Sequence, residues 1–143
     1  MIMMVEIDDI VFLAKNGRYE EALELVNHLD DNLDKVLALS GMARVIYTQD
    51  IEIAYGCLED AEYFSKKIKD KGEKSKALAD IASVYYIMGD TEYALGLFEK
   101  AIKEAEKIKN LKTGYIPWQI LRIIWVFPGL LISRWTYLKK FLT

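Results

Sequence analysis

Residues 76–101 read KALADIASVYYIMGDTEYALGLFEKA, two amphipathic segments with a one-turn break at Met88-Gly89-Asp90. Before the break, Leu78, Ile81, Ala82 and Tyr85 fall at i, i+3, i+4 and i+7, one stripe of a helical period. After it, Ala94, Leu97, Phe98 and Ala101 form a second stripe. Gly89 suits the left-handed conformation that ends a helix, and Asp90 suits the N-cap of the next. Ala82 and Ala94 put small residues on the facing stripes, so the two helix axes can approach closely. A bulky residue at either place would force them apart. The spacing is that of a helical hairpin.

The same positions resemble the tetratricopeptide repeat (TPR), whose pattern is a bulky residue, Leu-Gly, an aromatic, a small residue, an aromatic and a proline. Here the slots hold Leu78, Ile81-Ala82, Tyr85, Ala94 and Phe98, with Ala101 after them. The closing proline is absent and Glu106 stands about where it belongs, so the second helix is free to run on to about Lys109.

The pattern recurs upstream. Residues 3–15 place Met3, Ile7, Ile10, Val11 and Ala14 on one face, Asn16-Gly17 breaks that helix, and RYEEALELVNHL follows as a second. Gly17 then matches Gly89, Ala22 matches Ala94 and Val26 matches Phe98. After the loop at Asp30-Asp31-Asn32, a helix from about Leu33 puts Leu39, Met42, Ala43 and Ile46 in the slots of Leu78, Ile81, Ala82 and Tyr85. Gln49-Asp50 is expected to take the turn, one residue shorter than Met88-Gly89-Asp90. Ala54, Leu58 and Ala61 match Ala94, Phe98 and Ala101. Lys71-Gly72 is expected to end a long fourth helix, which would explain why Ala22, Ala54 and Ala94 are spaced unevenly. Hairpins that cannot bury their faces alone stack on one another. The resemblance therefore implies an all-α, right-handed αα-superhelix of antiparallel hairpins. It would have three repeats in residues 1–110, with Ala43, Ala54, Ala82 and Ala94 buried, and a degenerate hydrophobic C-terminal helix pair in 111–143.

That last segment differs in composition. The chain has 143 residues and a formal net charge of −3. Residues 111–143 contain Lys112, Arg122, Arg134, Lys139 and Lys140 but no acidic side chain. This leaves 14 basic residues (19 less the tail's five) against 22 acidic ones in the body, a net of −8. An acidic body argues against nucleic acid as a partner. The tail also holds all three tryptophans. It threads as helices 116–127 and 130–142, with Trp118, Leu121 and Trp125 in the bulky slots and Pro128-Gly129 at the turn. Arg122 and Arg134 stand where small residues belong. Three readings are open: packing within the fold or a homodimer, contact with a membrane surface, or an altered end that replaced a normal repeat. For the first, the oligomer interface would be Ile120, Ile123, Ile124, Phe127, Trp135 and Leu138, an apolar set that one helix pair cannot bury by itself.

No catalytic constellation is present. His28 and Cys57 are the only histidine and the only thiol, and a predicted helix and a half separates them, whereas a nucleophile pair needs hydrogen-bond contact. A single cysteine rules out an internal disulfide and fits a reducing, cytoplasmic setting. No metal-ligand spacing or phosphate-cradling glycine loop occurs, so no cofactor, no metal and no enzyme activity is expected. Glu62–Lys66 and Glu99–Lys103 are spaced as helix-surface ion pairs. The expected function is a non-catalytic protein–protein interaction module. In a stacked array the first helix of each hairpin lines the concave face, and Ser40, Arg44, Tyr47, Lys76, Ser83 and Tyr86 lie off the packing stripe there. They form the candidate groove for a peptide or protein segment, with an ordinary solvated face as the plain alternative. The family's clamp for C-terminal carboxylates would fall on Ile7 and Val11, then Gly41, then Lys76 and Asp80. Only Lys76 fits, so that ligand class is not expected. The competing function is a membrane-associated adaptor anchored by the tail.

Overall fold

The computed structural model describes residues 6–107. Among them lie six helices and no strand: α1 (Ile7–Lys15), α2 (Tyr19–Asn27), α3 (Asn32–Ile46), α4 (Ile51–Ser65), α5 (Lys71–Ile87) and α6 (Thr91–Glu106). The described residues are all-α, as the periodicity predicts. Met3, the tail helices and the six expected interface residues (Ile120, Ile123, Ile124, Phe127, Trp135 and Leu138) fall outside the described residues.

The two expected glycine breaks share one local geometry. Gly17 and Gly89 have φ of 82° and 97°, a region where a side chain would be strained. Around each, the next residue's N–H reaches back over the helix end: Arg18 donates to the Leu13 carbonyl and Asp90 to that of Tyr85, both at 2.9 Å. Gly17 and Gly89 donate to Ala14 and Tyr86 at 3.1 Å. This paired bonding satisfies carbonyls that a helix end leaves orphaned and reverses the chain in three residues.

Two boundaries differ from the sequence reading. The α3–α4 turn runs from Tyr47 to Asp50 and is longer than the α5–α6 turn, not shorter. It has no glycine, so the chain reverses through right-handed residues, with Gln49 and Asp50 both donating to the Ile46 carbonyl. Lys71-Gly72 does not end α4 but opens α5. The reason is at Asp70, whose carboxylate accepts from the Glu73 N–H at 2.9 Å. An acid followed three residues later by Glu is a helix start signal. Asp50 caps α4 in the same way through the Ile53 N–H. The uneven repeat interval still comes mainly from the fourth helix, 15 residues against 9 in α2.

The helices pack in sequential pairs, α1 with α2, α3 with α4 and α5 with α6, while α3 also touches both α1 and α5. Ala43, Ala54, Ala82 and Ala94 are completely buried between them, as expected, and so is Ala22. The larger stripe residues Leu39, Met42, Ile46, Leu58, Ile81 and Phe98 fill the core. Gly41 has a role that the stripe does not reveal: a methyl group there would lie 2.8 Å from Val11 Cγ2. The missing side chain lets α1 lie close against α3. No helix among the described residues is long and apolar enough to cross a membrane.

Candidate functional site

The six groove candidates sit on α3, its C-terminal cap and α5, but they do not form one exposed surface. Arg44 is exposed on α3, and its guanidinium donates to Ser83 Oγ of α5 at 2.9 Å. Ser83 in turn donates to the Asp80 carbonyl at 2.7 Å. Arg44 is thus held at its tip by the neighbouring hairpin, which lowers the entropy lost on gripping a ligand. Tyr47, at the C-cap of α3, and Tyr86, in the last turn of α5, are both half-buried. Lys76 is also half-buried, seven residues before Ser83, about 10 Å along the helix.

Ser40 and Ser83 correct the sequence reading. Both are buried, at 4% and 7% exposure, and a ligand cannot use them as surface groups. α3 lies between α1 and α5, so residues off its α4-facing stripe still meet protein. A serine there is small enough for close packing and turns its hydroxyl back on its own helix, as Ser40 does toward the Leu37 carbonyl at 3.3 Å. Ser83 contributes by holding Arg44.

A partly buried polar cluster joins α4, α5 and α6, with Tyr85 buried and Tyr93 half exposed. Tyr85 and Tyr93 both donate to the Glu62 carboxylate, at 3.1 and 2.5 Å, and their rings meet edge-on at 4.6 Å. Tyr55 donates to Asp90 at 2.5 Å. That bond occupies the carboxylate expected to cap α6, and Asp90 makes no side-chain capping bond. Burial, then the Glu62 charge and hydrogen bond, push the Tyr85 hydroxyl far above the ordinary tyrosine range. The hydrogen bond to Glu62, then burial, push Tyr93 up to about 12. At neutral pH both hydroxyls therefore keep their protons and act as donors. Sequence reading counted Tyr85 only as core, although a buried phenol needs an acceptor and Glu62 was the carboxylate within reach.

No family model matches the chain, and no curated protein matches it. Among solved structures it is similar to Ton1535 from Thermococcus onnurineus NA1, with a TM-score of 0.72 and 32% identity. The match covers 85% of this chain and 35% of that one, so the chain spans little more than a third of that protein's length. The likeness is one of chain path and carries no partner or activity with it.

The two expected helix-surface ion pairs are not formed. Glu62 gives both oxygens to tyrosines, which leaves Lys66 without it. The ion pairs among the described residues are Arg18–Glu21, Lys71–Glu104 and Lys107–Glu104. Cys57 is buried in α4, where burial and then the Asp60 charge push its thiol up to about 11. His28 is exposed at the C-cap of α2. No group of His, Cys, Asp or Glu among the described residues could hold a metal ion.

Proposed function

We propose that the chain is a non-catalytic interaction module. In this reading the three hairpins form a right-handed, TPR-like superhelix, and a peptide or protein segment lies across its first helices. The observation that carries the reading is the bond from exposed Arg44 to Ser83. The two residues occupy matching slots in successive hairpins, and so do Tyr47 and Tyr86. A tyrosine repeated in two successive hairpins beside a braced arginine suits a chain segment better than a compact small molecule, and Tyr and Arg are common anchors of protein interfaces. The α1–α3 and α3–α5 contacts support the side-by-side order the strip requires.

Selection of displayed peptides against the full chain tests this. The selected peptides are expected to lose at least about tenfold in affinity for an Arg44→Ala/Tyr86→Ala double variant. Equal binding to both proteins would remove the groove from the reading. The homo-oligomer expected through residues 116–142 is a separate proposal with its own measurement. Sedimentation of the detergent-free protein as a clean monomer at micromolar concentration would refute it.

A further inference from the structure

A cleft of about 300 Å³ opens between the end of α4, the first half of α5 and α6. Its rim carries Lys66, Lys74, Lys100, Lys103 and Lys107, and Leu78 and Leu97 are also part of its lining. Five ammonium groups against the two carboxylates of Glu62 and Glu104 leave the lining of this small cleft net positive on a body that is otherwise acidic. Lys100 and Lys103 stand three residues apart on α6, where like charges destabilise a helix by a few tenths of a kcal/mol per pair, and Lys107 is its C-cap.

Glu62 and Glu104 also line the cleft, and each already has partners. Glu62 accepts from Tyr85 and Tyr93. Glu104 lies 3.1 Å from Lys107 and 3.7 Å from Lys71. Burial by itself would raise the Glu104 carboxyl, but the Lys107 hydrogen bond and the charges of Lys107, Lys74 and Lys71 outweigh it and hold it below the ordinary range. Glu104 is therefore favoured as the anion, bonded to Lys107 at the rim. Lys66, Lys100 and Lys103 are exposed and keep their charge for the cleft.

We infer that this cleft, which shares only α5 with the proposed groove, binds a small soluble polyanion carrying two or more phosphoryl groups. The volume is at the lower end for small-molecule sites, and lysine serves phosphate as a flexible point charge without demanding a fixed fork geometry.

Calorimetric titration of the full chain with tripolyphosphate at low salt provides the test. Saturable binding is expected, weakened at least about tenfold in Lys66→Gln/Lys103→Gln and nearly unchanged in Lys15→Gln/Arg18→Gln, which removes the same charge from α1 and the α1–α2 turn. All four positions are exposed, so each variant should keep the helical circular dichroism of the parent. Absence of saturable heat, or equal weakening in both variants, would overturn the site. So would phosphoinositide vesicles that bind in a manner sensitive to Lys66 and Lys103 while tripolyphosphate does not bind, because the source would then be a lipid headgroup.

Discussion

Replacing Gly41 with alanine adds one methyl group in the middle of α3, and its effect on stability should change sign with the residue at position 11. In an open helix interior, Gly→Ala stabilises by about 0.5–1 kcal/mol because the unfolded chain loses freedom and the helix gains a better former. Here the new Cβ would sit 2.8 Å from Val11 Cγ2, roughly 1 Å inside an ordinary carbon–carbon contact. Val11 cannot easily turn away, since a β-branched side chain in a helix is held in one rotamer. α1 must move or Val11 must strain, and overpacking of this kind costs about 1–3 kcal/mol. The net expectation is a loss of about 1 kcal/mol. In a Val11→Ala background the clashing methyl is gone, and Gly41→Ala should stabilise by about 0.5–1 kcal/mol. Urea unfolding of the four proteins closes the cycle: midpoints should shift in opposite directions at constant slope, with a coupling of about 1–3 kcal/mol. If Gly41→Ala stabilises the parent, or if the two changes simply add, α1 does not lie against α3 as described.

Other perturbations reach the remaining interfaces. Ala82→Leu should overpack the α5–α6 hairpin and cost about 1–3 kcal/mol by chemical denaturation; an unchanged midpoint would mean that the small-residue contact does not set the helix spacing. Glu62→Ala strands the Tyr85 hydroxyl and should cost about 1–3 kcal/mol, with Tyr85→Phe recovering part of the loss in the double variant. Tyr55, Tyr85 and Tyr93 all hold their protons above the ordinary value in the fold, so their contribution is complete below about pH 10, where an unfolded tyrosine ionises, and is lost as pH rises through the folded values. Stability should fall above about pH 10, and less steeply in Tyr85→Phe/Tyr93→Phe; an identical alkaline limb would remove the cluster as its cause. Cys57, buried and with its thiol pushed up to about 11, should react with a thiol reagent only as fast as the protein unfolds, and prompt labelling of the native chain would contradict its burial.

The sequence by itself determined where most helices begin and end and which stripe of each is buried. These are local matters: a glycine able to take positive φ ends α1 and α5, and apolar residues at i, i+3 and i+4 mark the side facing the hairpin partner. Where a local signal was misread, as at Asp70 and Glu73, the information was still present in the chain. Tertiary structure decided everything that depends on a second neighbour. Periodicity reports one packing face, but α3 touches α4, α1 and α5. Ser40 and Ser83 therefore became buried although they lie off the stripe, and Gly41 became a close contact instead of a gap. Likewise Glu62, four residues from Lys66, was claimed by Tyr85 and Tyr93 from helices more than twenty residues away. A buried phenol has no water to replace a lost acceptor, whereas an exposed ammonium does. That difference in desolvation left Lys66 without Glu62, and no spacing along the chain records it.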